Sequence, residues 1–128
     1  MTTTRDILII EDDAILRDLL MDWLEAAGYR VRVAVEGAAG LAEAHDDPPC
    51  LVITDIHMPG IDGAAVIAEI KRHHPAVAVI AISGRFRCGS GLTPEDAIAL
   101  GAARALAKPF NRGEMVKAVA DLVGRPAG

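Results

Sequence analysis

With 128 residues, the chain has the length of one domain able to bury a core. It is 52% hydrophobic but only 3% aromatic, so that core must be built from Ala, Val, Ile and Leu. A net charge of −5 with a pI near 5.2 argues against a nucleic-acid surface; no apolar run approaches the roughly eighteen residues of a membrane span, and the apolar segment behind Met1-Thr2-Thr3-Thr4-Arg5 is too short for a signal peptide.

The first element is Ile7-Leu8-Ile9-Ile10, an apolar run of the kind buried in a sheet, ending in Glu11-Asp12-Asp13. A helix follows, capped by Asp13. It places Ile15, Leu16, Leu19, Leu20, Trp23 and Leu24 on one face, and Gly28 stops it. Val31-Arg32-Val33-Ala34-Val35 alternates, as expected of a strand nearer the sheet edge. Residues 36–45 form an Ala- and Gly-rich helix closed by Asp46-Asp47-Pro48-Pro49. Cys50 opens the next apolar run as a small core residue. That run, Leu51-Val52-Ile53-Thr54, ends on Asp55, and Pro59-Gly60 breaks the chain. Cys50 and Cys88 lack metal-type spacing, which fits a reducing cytoplasm.

Residues 64–74 make a helix through Val66, Ile67 and Ile70, stopped by Pro75. Residues 76–82 are a fourth apolar strand ending at Ser83-Gly84. A Gly-rich segment, 84–92, carries Arg85, Phe86 and Arg87. Thr93 then caps a short helix, with Pro94 at its first position and Glu95-Asp96 at its positive end; Gly101 ends it. Residues 103–107 are a fifth strand leading to Lys108-Pro109. A last helix, 111–123, has Met115, Val116, Val119, Leu122 and Val123 apolar and ends at Gly124.

Strands alternating with helices predict a parallel sheet covered on both faces. All strands then end on one edge, where such sheets bind ligands. Strand one delivers Glu11, Asp12 and Asp13 there, strand three Asp55, strand four Ser83 and strand five Lys108. Neighbouring strands lie about 4.8 Å apart, so these side chains can converge. Clustered carboxylates repel one another, and a hard cation relieves the repulsion. Acids for Mg²⁺, a lysine, a hydroxyl and a carboxylate nucleophile suit phosphoryl transfer to Asp55, with no general base required. Taken singly, each has an ordinary reading: an acidic helix start, a turn Asp, a loop Ser and a turn Lys. Their placement at different strand ends sets those readings aside. His57 has no second His at helical or hairpin spacing and is not read as a side-chain metal ligand.

Leu8-Ile9-Ile10-Glu11-Asp12-Asp13 with Arg17, then Asp55-Ile56-His57-Met58-Pro59-Gly60-Ile61-Asp62-Gly63, Ser83-Gly84, and Gly101-Ala102 before Lys108-Pro109-Phe110, together resemble the receiver domain of two-component response regulators over nearly the whole chain. The resemblance implies a flavodoxin-like (βα)5 fold of strand order 2-1-3-4-5. It implies that Asp55 is the phosphoacceptor, Asp12 the direct Mg²⁺ ligand and Glu11 its partner acid. His57 would offer its backbone carbonyl to the metal, leaving its side chain free to face solvent. Ser83 would be the switch hydroxyl and Lys108 the phosphoryl contact, with a bond to Pro109 that is often cis in the family.

The sequence departs from that family at Ala105, where Ala105-Leu106-Ala107-Lys108-Pro109 lacks the usual switch aromatic, and in the long 84–92 segment. The expectation is one receiver domain, 1–128 with a core of about 5–124, of stand-alone type. It would be a cytoplasmic phosphorelay switch, not an enzyme beyond self-catalysed transfer and slow autodephosphorylation. A sensor histidine kinase or histidine phosphotransfer protein would load it, and it would act by partner binding or phosphate shuttling, as a monomer or weak dimer. The alternatives are a receiver-like interaction domain that is never phosphorylated, and a haloacid dehalogenase-type phosphatase. The latter wants an acid two residues after its nucleophile, where this chain has His57. A flavodoxin would want small hydroxyl residues where this chain has Glu11-Asp12-Asp13.

Overall fold

The computed structural model describes residues 6–57, 60–84 and 93–124. Ten elements alternate: β1 (Asp6–Ile10), α1 (Ala14–Ala26), β2 (Arg30–Ala34), α2 (Gly37–Asp46), β3 (Leu51–Asp55), α3 (Gly63–His73), β4 (Ala78–Ser83), α4 (Pro94–Leu100), β5 (Arg104–Ala107) and α5 (Arg112–Val123). The strands form one sheet in the order β2-β1-β3-β4-β5, with every neighbouring pair parallel. This is the flavodoxin-like architecture expected from the sequence.

The apolar strands are continuous runs because both faces are buried. Leu8, Ile10, Val52, Val79 and Ala81 face Val66, Ile67 and Ile70 of α3, with Ala44 of α2 and Ala97 of α4. Ile7, Ile9, Leu51, Ile53, Ile80 and Ile82 face Leu20 and Leu24 of α1 and Met115 and Val119 of α5. Scarce aromatics and abundant Ala and Gly serve this closeness. A Cβ on Gly40 of α2 would lie 2.3 Å from Ile10 Cδ1, so that helix sits on β1 only because it carries no side chain there.

Capping follows the sequence closely. Asp13 accepts from the Ile15 and Leu16 amides, and Thr93 and Asn111 each close a reciprocal capping box. Boundaries shift by a residue or two: β2 ends at Ala34 rather than Val35, α3 ends at His73 ahead of Pro75, and β4 begins at Ala78 and takes in Ser83. Cys50 precedes β3, half-buried, its thiol donating to the Asp6 carbonyl at 3.1 Å.

One expectation fails on α1. Ile15 is 81% exposed and Leu19 41%. With Leu16, Leu20, Trp23 and Leu24 turned to the sheet and α5, residues 15 and 19 each fall one position, about 100°, to the side. Met58, Pro59, Cys88 and Phe86, with the rest of segment 85–92, lie outside the described residues. No helix among the described residues is long and apolar enough to cross a membrane.

Candidate functional site

The carboxyl edge of the sheet assembles from adjacent strand ends. β1 and β3 are direct neighbours, so the residues following Ile10 emerge beside Asp55. Ile56 continues β3 by donating its amide to the Ile82 carbonyl at 3.0 Å, and the Lys108 amide donates to the Ser83 carbonyl at 3.0 Å. Those two bonds tie the ends of β3, β4 and β5 together. The start of α3 is pressed against the same edge. The Gly63 amide donates to the Ile56 carbonyl, and a Cβ there would lie 2.4 Å from the Asp55 carbonyl oxygen. Glycine at 63 is therefore a requirement of this close approach.

Carboxylate oxygens of Glu11, Asp12 and Asp55 lie within 4.8 Å of one another. Glu11 and Asp55 are buried while Asp12 is exposed, so the cluster has a floor and an open side. Asp55 Oδ1 accepts from the His57 amide at 2.8 Å. Its Oδ2 accepts from Lys108 Nζ at 2.5 Å, and the same ammonium reaches Glu11 Oε1 at 3.4 Å. Glu11 Oε2 accepts from the Asp13 amide at 3.1 Å. Arg17 Nη1 donates to the Glu11 carbonyl at 3.0 Å, fixing the turn that presents the acids. Arg17 stood in the sequence resemblance without a role. Its position six residues beyond Glu11, one turn into α1, was the available signal.

Ser83 is fully buried at the end of β4, next to this set. The Lys108–Pro109 peptide is cis. Ala105 pairs with Ala81 across β4 and β5 and is half-buried against the α2–α3–α4 side of the core. His57 corrects one expectation: its ring is not free to face solvent. The residue is half-buried, and Nε2 is buried without a hydrogen-bond partner among the described residues. The backbone amide of the same residue donates to Asp55 Oδ1, so residue 57 stands against the site through its main chain.

Charge in the site is finely set. Loss of solvation by burial pushes the Glu11 carboxyl up to about 7. The Asp13 amide pulls it back, the Asp55 charge raises it, and Lys108 lowers it. For Lys108, burial acts to lower its pKa, but the hydrogen bond and charge of Asp55, then those of Glu11, outweigh it and the net shift is upward. Lys108 is therefore an ammonium at neutral pH. Three hard oxygen donors, one of them open to solvent, fit a small divalent cation such as Mg²⁺, which binds through a few carboxylates and retains waters.

Glu11 makes the metal-free protein pH-sensitive. Because its folded pKa lies above its unfolded value of 4.5, the folded state holds the proton more tightly. Stability is thus highest below about pH 4.5 with respect to this group and declines as pH rises towards 7. In EDTA, Glu11→Gln is expected to remove that decline and to stabilise the protein at pH 8 by up to about 3 kcal/mol. Gln keeps an oxygen for the Asp13 amide. Thermal melts of both proteins at pH 5.5 and 8 check it; parallel pH dependences would contradict it.

Residues 7–120 match the family model for the response regulator receiver domain. The chain is 38% identical over 113 residues to the nitrogen assimilation regulatory protein NtrX of Azorhizobium caulinodans, covering 87% of this chain and 24% of that protein. It thus spans about a quarter of the length of the NtrX relatives it matches. The crystal structure of the receiver domain of NtrX from Brucella abortus superposes with a TM-score of 0.84 at 33% identity, covering 92% of this chain and 98% of that one. The chemotaxis protein CheY4 of Vibrio cholerae shares the fold, with a TM-score of 0.81 at 23% identity over 94% and 100% of the two chains.

Proposed function

Since the chain belongs to the family of response regulator receiver domains, we propose that Asp55 is its phosphoacceptor, loaded from a phosphohistidine donor in a Mg²⁺-dependent step. The observation that carries this reading is the Asp55 carboxylate, buried beside Glu11 and Asp12, with Oδ1 on the His57 amide and Oδ2 on Lys108. A carboxylate oxygen of Asp55 attacks phosphorus. The new O–P bond forms as the P–N bond breaks, and its electron pair stays on the donor imidazole. A carboxylate nucleophile has no proton to give up, so the step calls for no general base. Lys108 is placed to move from the carboxylate to a phosphoryl oxygen as charge transfers there. Ser83 supplies the hydroxyl that meets another oxygen once phosphate is bound.

Glu11, Asp12 and Asp55, with the His57 backbone carbonyl, are the groups that would hold Mg²⁺. Bound there, the ion supplies positive charge for the phosphoryl oxygens. Hydrolysis by water returns the carboxylate slowly, so the domain is a signalling switch and not a turnover catalyst.

A sensor histidine kinase or a histidine phosphotransfer protein fits as donor, in the cytoplasm, and the output is partner binding or passage of the phosphoryl group. Ala105 cannot supply a moving ring, so the switch runs through Ser83 and Lys108 without an aromatic at that position. The test is uptake from acetyl phosphate followed by intact mass. One phosphoryl group is expected per chain with Mg²⁺, at a rate at least about tenfold lower in EDTA. Equal uptake in EDTA, or none in either buffer, would overturn the proposal.

A further inference from the structure

At the edge of the sheet opposite Asp55, the C-terminal ends of α2 and α3 lie side by side and bring three histidines together. His45 stands in the last turn of α2, His73 ends α3, and His74 caps it. His45 Nδ1 and His74 Nε2 are 2.8 Å apart. The His45 ring centroid lies 5.1 Å from those of both His73 and His74. His45 and His73 are exposed and His74 is half-buried, so the cluster is open to an ion from solution.

We propose that this cluster is a binding site for a borderline divalent transition-metal cation of the Zn²⁺ class, held by His45 Nδ1 and His74 Nε2 with His73 as third ligand and water completing the shell. Imidazole nitrogen is the donor these ions favour. Two nitrogens at 2.8 Å share one proton as a hydrogen bond. With metal–nitrogen bonds of about 2.0–2.1 Å, tetrahedral ligands stand roughly 3.3 Å apart, so replacing the proton by a metal opens the pair by only about half an ångström. Exposed side chains make that adjustment by small rotations. His73 must also turn, because its Nε2 is engaged on its own helix, 3.2 Å from Glu69 Oε2 and 3.3 Å from Arg72 Nη2.

The electrostatic setting favours a cation. Two helices end here, and their last carbonyls carry the negative end of each dipole. The Arg72 charge is offset by Glu69 at 3.0 Å. Lys71 is held by the Pro75 and Val77 carbonyls, and Arg32 by Glu43 and the Asp47 carbonyl. A metal there would staple α2 to α3, and α3 begins at Gly63 against Asp55.

The test titrates the whole chain with Zn²⁺ alone by calorimetry, with Mg²⁺ in excess to compete for the acidic cluster. One Zn²⁺ per chain is expected, weakened more than about tenfold by His45→Gln or His74→Gln and unchanged by Asp12→Asn. Zn²⁺ should also raise the Tm of the parent and not of the His45→Gln protein. Circular dichroism reports whether these surface variants keep their fold. Absence of saturable binding, binding that survives both His substitutions, or binding lost with Asp12→Asn would each overturn the site. None of these results bears on phosphorylation of Asp55.

Discussion

Lys108→Met is expected to destabilise the metal-free protein by about 2 kcal/mol at pH 8, below the roughly 3–5 kcal/mol for breaking a fully buried ion pair, because 26% of the lysine side chain remains in solvent. The lysine is the cation that Asp55 and Glu11 share. Met preserves most of the apolar stem, so the loss isolates the charge. Without the ammonium, Glu11 gains a proton more readily, and the deficit should shrink as pH falls towards 6. Added Mg²⁺ should restore stability more in the variant than in the parent, since it replaces the missing positive charge. Denaturant melts at both pH values, with and without Mg²⁺, check this. A variant as stable as the parent in EDTA at pH 8 would show that Lys108 does not balance the carboxylates.

Asp55→Asn is expected to lower phosphoryl uptake by at least about 10³-fold, to background. The amide retains an oxygen for the His57 N–H, so the turn should survive, but it has no anionic oxygen to attack phosphorus. It also removes one of the clustered negative charges, so the folded protein should melt within a few degrees of the parent. Loss of uptake together with an intact melt separates the nucleophile from a purely structural Asp.

Much of this was legible in the chain because local chemistry and global fold agree. Apolar runs such as Ile7-Leu8-Ile9-Ile10 declare a strand buried on both faces, and the structure divides them between two cores. Asp13 and Thr93 announced helix starts that the caps bear out. Acids, Asp, Ser and Lys at different strand ends implied a shared edge, and Glu11, Asp12, Asp55 and Lys108 do meet there.

What stayed hidden depends on rotation and depth. Periodicity assigned Ile15 and Leu19 to the buried face of α1, but which ridge faces the sheet is set by packing against α5. Nothing in the residue types announced that Glu11 would be fully buried, although Lys108 and the Asp13 amide are what make that burial tolerable. The burial of the His57 ring nitrogen, with no hydrogen-bond partner among the described residues, likewise has no signal in the residue types. The contact between His45 and His74 spans two helices, and such a pair has no spacing to read.

Locating the phosphoryl group on the chain decides whether Asp55 is the acceptor. The protein is loaded with acetyl phosphate and Mg²⁺, the acyl phosphate is reduced with borohydride, and the chain is cleaved and sequenced by mass spectrometry. A reduced, homoserine-type residue at position 55 and at no other acid is the expected result. Reduction at Glu11 or Asp12, or a phosphoryl group that resists borohydride and maps to Ser83, would contradict the account.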